Sequence, residues 1–189
     1  MAVGVAAAAT ADDDGSDNDR AWRAGGFELD LDRDLPPERA DSDLFGAAVS
    51  TDSFFVAVGA PRGDGATRLS GVVHVYQRHR SLAGLAYSPL PYTLHVADGQ
   101  PGDQLGAAVC LRTPYLFVGA PHTRGGAGAV HVFRYERDEL DDETAQRVDV
   151  RENWLLYQTL YAPHGTRGFG AALDCTASQV LVGCTQCSR

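Results

Sequence analysis

The sequence predicts an all-β fold, an incomplete β-propeller of about two and a half four-stranded blades. Three observations carry this expectation. The first is an internal repeat. The segment "DLFGAAVSTDSFFVAVGAP" at Asp43–Pro61 returns as "DQLGAAVCLRTPYLFVGAP" at Asp103–Pro121 and as "RGFGAALDCTASQVLVGCT" at Arg167–Thr185. The anchor glycines Gly46, Gly106 and Gly170 stand 60 and 64 residues apart, and a second glycine (Gly59, Gly119, Gly183) follows each by 13. A chance G-A-A is common; a fixed internal offset in three copies is not. The second observation is strand patterning inside each copy. The third is that no segment longer than about ten residues shows helical periodicity, while 21 glycines and 9 prolines supply short turns.

Residues 1–26 read as a disordered leader. Met1–Ala11 is a short apolar stretch ending in A-x-A, either the remnant of a signal peptide or an ordinary flexible terminus, since it lacks a basic n-region and strong hydrophobes. Asp12–Arg20 is acidic and turn-rich, a composition that resists folding. The propeller is expected over 27–189, with repeats at about 43–102, 103–166 and 167–189. Ala47–Ser50 is small and apolar, suiting a crowded strand. Phe54–Val58, "FFVAV", is a continuous apolar run, as a strand buried on both faces requires. Gly71–Gln77 matches Gly128–Arg134 as a third strand rich in β-branched and aromatic residues. Tyr92–Val96 and Tyr157–Tyr161 supply the fourth. Arg78–Pro91 and Tyr135–Asn153 are expected as links, the latter carrying the charge run Glu136–Glu143 as a solvated loop.

The formal net charge of −9 argues against a nucleic-acid partner, whose phosphates demand a basic surface. No run approaches the ~20 apolar residues of a membrane span. Four cysteines (Cys110, Cys175, Cys184, Cys187) leave the compartment open. Cys184 and Cys187 form one C-x-x-C, but a zinc site needs a second pair and a thioredoxin-type site needs a helix opening at the first cysteine. The four are therefore read as loop cysteines, free or disulfide-bonded.

The repeat resembles the FG-GAP repeat of integrin α subunits. Phe45-Gly46 and Phe169-Gly170 are the "FG", with Leu105-Gly106 a degenerate copy; Gly59-Ala60-Pro61 and Gly119-Ala120-Pro121 are the "GAP", from which Gly183-Cys184-Thr185 departs. Phe27–Asp30, "FELD", is similar to the entry of those subunits into their propeller. The resemblance covers roughly Phe27 to Arg189. It implies a seven-bladed propeller on the extracellular side of the plasma membrane, at the head of an adhesion receptor that binds a protein ligand and an integrin-β-like subunit. Such a ring needs more repeats than lie here, so a fragment is expected, and Phe27–Leu31, which the family adds to its last blade, should lack that proper partner.

The resemblance also raises calcium, because many such repeats carry D-x-D-x-D-G between the FG and GAP strands, a spacing that gathers carboxylates and a carbonyl around a hard cation. The corresponding segments here, Ser50–Ser53, Cys110–Pro114 and Asp174–Gln179, hold no more than one carboxylate each. No metal or other cofactor is expected in this segment; calcium is expected only in further, downstream repeats. Asp12–Asp14 with Gly15 has no flanking strands to form a cation loop.

Arg62-Gly63-Asp64 spells an adhesive tripeptide, and glycine and aspartate are also ordinary turn residues at that point. His74 and His131 hold the same place in their repeats, as expected of a structural position. No catalytic residues are assigned: no Ser/His/Asp set has a nucleophile-elbow context. Ligand binding, if any, falls to loops. Those between the second and third strands contribute Arg62, Asp64, Arg68, His122 and Arg124, of which Arg62, Arg68, His122 and Arg124 form a modestly basic rim that could steer an acidic partner. The loops between blades contribute 97–103 and 162–168. The leading expectation is thus a non-catalytic adhesion-receptor module without direct membrane contact. The alternatives are an accessory propeller on a secreted hydrolase, for which an extension of ~26 residues is too short to hold a catalytic domain, and a soluble scaffold propeller.

Overall fold

In the computed structural model, the structure describes residues 21–24, 27–30, 43–81, 84–88, 91–142 and 147–187. The fold is all-β, a series of antiparallel sheets none of which closes on itself. A hairpin of β1 (Ala21–Ala24) and β2 (Phe27–Asp30) comes first. Within the leader expected at 1–26, Ala21–Ala24 is a strand, and it pairs with Phe27–Asp30 in a local hairpin; 1–20, 25–26 and Leu31 lie outside the described residues.

The first repeat forms one sheet: β3 (Ala48–Thr51), β4 (Phe55–Ala60) and β5 (Val72–Ser81) pair in sequence order. β6 (Gly84–Tyr87) pairs the second half of β5, and β7 (Tyr92–Leu94) pairs its first half. The second repeat builds β8 (Ala108–Arg112), β9 (Tyr115–Ala120), β10 (Ala129–Asp142) and β11 (Arg147–Tyr161) as a four-stranded meander. The third gives a hairpin of β12 (Ala172–Cys175) and β13 (Val180–Gly183).

Two links expected as loops are strand. β5 and β6 run into Arg78–Pro91, and β10–β11 run far into Tyr135–Asn153. The physical reason is that a hairpin ladder satisfies the backbone whatever the side chains are. Its register sets Arg137 opposite Glu152 and Asp138 opposite Arg151. One turn of helix, α1 (Thr123–Gly126), interrupts the β-only expectation, but Arg124 and Gly125 inside it have positive φ (55° and 69°), so it is a compact turn.

All three repeats open with the same turn. The N–H groups of Gly46, Gly106 and Gly170 donate to the carbonyls of Gly59, Gly119 and Gly183 at 2.9, 3.0 and 2.9 Å. Each anchor glycine has φ near +90° (89°, 91° and 87°), a region where a Cβ is costly and glycine is at home. The repeats then stack through these glycines. A Cβ at Gly59 would run into the Gly106 carbonyl, and one at Gly119 into the Gly170 carbonyl. The repeated motif is thus a rule of contact: the turn of one unit lies on the second strand of the unit before it. Parallel bridges Gly71↔Leu105 and Gly128↔Phe169 tie the same junctions.

The core fills the space between the first two sheets. Ala57, Val73, Val75, Leu111, Leu116 and Val118 are essentially fully buried there. Phe55 of β4 meets Tyr135 and Trp154 of the second sheet edge-on, at ring-centroid distances of 4.8 and 5.2 Å, a geometry that suits the aromatic quadrupoles.

Candidate functional site

The loop after β7, the α1 turn and the inner ends of β10 and β11 enclose a cavity of 540 Å³. Its polar lining includes Asp98, Asp103, Thr123, Arg124, His131 and Thr159. Loop 97–103, expected from sequence as a binding loop, does reach this space. Thr67 Oγ1 anchors it by donating to the Gly99 carbonyl at 2.9 Å, and Asp103 Oδ2 accepts the Gln100 N–H at 2.8 Å.

His131 is the deepest ionisable group here, only 6% exposed. Its Nδ1 lies 3.0 Å from Thr159 Oγ1, and His74 repeats the arrangement with Thr93 Oγ1 at 3.2 Å. The repeated histidine therefore does have a structural task, fixing the third strand to the fourth in both sheets. Burial pushes the His131 pKa below the usual imidazole value, while the Asp98 and Asp103 carboxylates pull the other way.

Of the residues expected to form a basic rim, one borders this cavity. Arg124 lines it, with its guanidinium carbon 3.6 Å from the centroid of the Tyr161 ring. Arg62, Arg68 and His122 are exposed and sit outside the lining, to which Asp98 and Asp103 add carboxylates. The Arg62-Gly63-Asp64 tripeptide is used locally. The Arg62 N–H donates to Asp43 O at 3.1 Å, Gly63 N–H to Ala60 O at 2.9 Å, and Asp64 Oδ1 accepts the Leu69 N–H at 2.9 Å. These are the contacts of a turn. Pro61 and Pro121 are buried just after β4 and β9; the Phe45 ring lies 5.7 Å from that of His74.

A second groove, 530 Å³ in volume, was not foreseen from sequence. It opens among the hairpin tips β3–β4, β8–β9 and β12–β13, lined by Asp52, Phe54, Thr113, Tyr115 and Gln179. The single carboxylate there, Asp52, is already committed. Oδ1 accepts the N–H groups of Phe54 (2.8 Å) and Phe55 (3.0 Å), and Oδ2 accepts the N–H (2.9 Å) and hydroxyl (2.6 Å) of Thr113. Burial alone would raise its pKa, but these four donors together hold it below the usual carboxylate value. The pairing of an aspartate with the next unit's tip had no signal in the sequence beyond a lone Asp in a turn.

Cys110 and Cys175 are joined by a disulfide between β8 and β12, and Cys184 and Cys187 by another. The first pair thus sits on strands, not in loops, and links the second unit to the third. Among the described residues no group of three or more His, Cys, Asp or Glu side chains is placed to hold a metal ion, and no helix is long and apolar enough to cross a membrane.

No family model matches the chain, and no curated protein matches it.

Proposed function

We propose that this chain is a stretch of an FG-GAP-type β-propeller and that it acts as a non-catalytic binding module at the extracellular head of an integrin-α-like adhesion receptor. The observation that supports this most is the identical stacking of units at both junctions, Gly106 on Gly59 and Gly170 on Gly119. Stacked antiparallel meanders with one fixed contact per step are what a radial array of blades requires. The loops that meet at the 540 Å³ cavity then lie at one end of the strands, where a protein ligand and an integrin-β-like subunit would approach. Fold alone does not give function, so the adhesion role rests on the sequence resemblance quoted above.

The transcript read through Arg189 from the same source tests this reading. Further repeats with the same 13-residue glycine offset, D-x-D-x-D-G loops among them and then a membrane span support it. A catalytic domain joined to the repeats, or no further repeat, contradicts it.

A further inference from the structure

The cavity between the first two units carries opposite charges that do not meet. Asp98 and Asp103 line it from the loop after β7, and Arg124 lines it from the α1 turn. The Arg124 guanidinium is packed on the Tyr161 ring, and the ion pair formed among the described residues is Arg134 with Glu136 instead. Asp103 Oδ2 accepts the Gln100 N–H at 2.8 Å. Asp98 offers Gln100 Nε2 its backbone carbonyl, at 3.0 Å, and its carboxylate has no hydrogen bond among the described residues. His131 does not offset these two carboxylates, because its lowered pKa keeps the ring uncharged at neutral pH. Thr123 Oγ1 lines the same cavity and is buried without a hydrogen-bond partner, a state that costs free energy.

The repeat departs from its own pattern at this cavity. Phe45, Leu105 and Phe169 each precede an anchor glycine. In the first unit the Phe45 ring lies 5.7 Å from the His74 ring. In the second the equivalent pair is Leu105 and His131, and both line the cavity. A shorter aliphatic side chain thus stands where the first unit sets a ring against its histidine. The 540 Å³ of the cavity falls within the range of about 300–1,000 Å³ usual for small-molecule sites. Every lining residue lies between Ser70 and Tyr161, so its wall owes nothing to the third unit.

We propose that this cavity binds a small zwitterion, a free amino acid whose ammonium group engages Asp98 and Asp103 and whose carboxylate engages Arg124. A ligand with a single charge would leave one of the two sets unmatched. A molecule with both charges satisfies each through charge-assisted hydrogen bonds, and the planar guanidinium fork suits a carboxylate. The Thr123 hydroxyl gains the partner it lacks. This site goes beyond the adhesion reading and does not rest on it.

The test is isothermal titration of the full chain with glycine, γ-aminobutyrate and ε-aminocaproate, each beside the amine and the carboxylate of matching length. One zwitterion at least is expected to bind about tenfold more tightly than both of its singly charged counterparts, the worth of one charged hydrogen bond. Asp98→Asn and Arg124→Gln, both on exposed side chains, should each weaken that zwitterion by about tenfold with unchanged circular dichroism. Leu105→Phe, which restores the residue of the first unit, should abolish binding by filling the space. Absence of binding by every zwitterion overturns the proposal. So does a matching amine or carboxylate that binds as tightly, or affinity untouched by both Asp98→Asn and Arg124→Gln.

Discussion

Cys110 is disulfide-bonded to Cys175 across the junction between the second and third units, and the bond occupies the place where Ser50 meets Leu111 one junction earlier. The covalent link and the hydrogen bond are two chemical versions of one geometric step. The first junction adds a second polar tie, from Asp52 to Thr113, and the second adds Arg112 Nε donating to the Cys175 carbonyl at 3.4 Å.

Removing the covalent version should be costly. The bond closes a loop of 65 residues, and chain entropy assigns such a closure about 4 kcal/mol of stability. Cys110→Ala with Cys175→Ala is expected to lower the unfolding free energy by about that amount in urea titrations. The Cys184–Cys187 bond spans a separation of 3, and its removal should cost clearly less.

The glycine contacts predict a contrast between motif positions that look alike in sequence. Gly59→Ala and Gly119→Ala force a Cβ against the next unit's carbonyl and should each destabilise by roughly 1–3 kcal/mol through overpacking. Gly183→Ala meets no other unit and should stay within about 0.5 kcal/mol of the native chain. Thermal melts of the three variants check the contrast.

Asp52→Asn keeps one acceptor oxygen but sets an amide donor against the N–H and hydroxyl of Thr113. An unsatisfied group of this kind costs roughly 1–3 kcal/mol. The pH dependence adds a second check. The folded pKa of Asp52 lies below its ordinary 3.8, so the carboxylate contributes stability that is present above pH 3.8 and is lost as pH falls through the folded value. Acid-unfolding curves of Asp52→Asn should lack that component.

His131 acts in a higher window. Its folded pKa lies below 6.5, so the unfolded chain binds the proton more readily. Its contribution is fully present above pH 6.5 and falls away between there and the lowered folded value. His131→Gln, which can still reach Thr159, should flatten the stability profile in that window, as urea midpoints measured through it will report.

The parts of the fold that were legible in the sequence are those that recur. Gly46, Gly106 and Gly170 mark the turns because left-handed backbone admits few other residues, and the offset to Gly59, Gly119 and Gly183 marks where the next unit lands. His74 and His131 were legible for the same reason. The long β10–β11 hairpin was not, because Glu136–Asp142 carries charge and no alternating apolar face, and a ladder needs neither. Cysteine pairing was closed to sequence as well, since four cysteines admit three pairings; the choice depends on the shift of one residue between neighbouring units. The cavity itself was only partly legible: Arg124 and loop 97–103 were singled out from sequence, but the carboxylates of Asp98 and Asp103 in its lining carried no motif that would mark them.

The stacking of units in a single repeated register is tested most directly by writing the second junction's disulfide into the first. Ser50→Cys with Leu111→Cys places two thiols at the positions equivalent to Cys110 and Cys175. A third intramolecular disulfide should form on oxidative folding, with no free thiol found by mass spectrometry after denaturation and alkylation. Two alkylated cysteines at positions 50 and 111, under conditions in which Cys110–Cys175 is fully formed, would contradict the shared register.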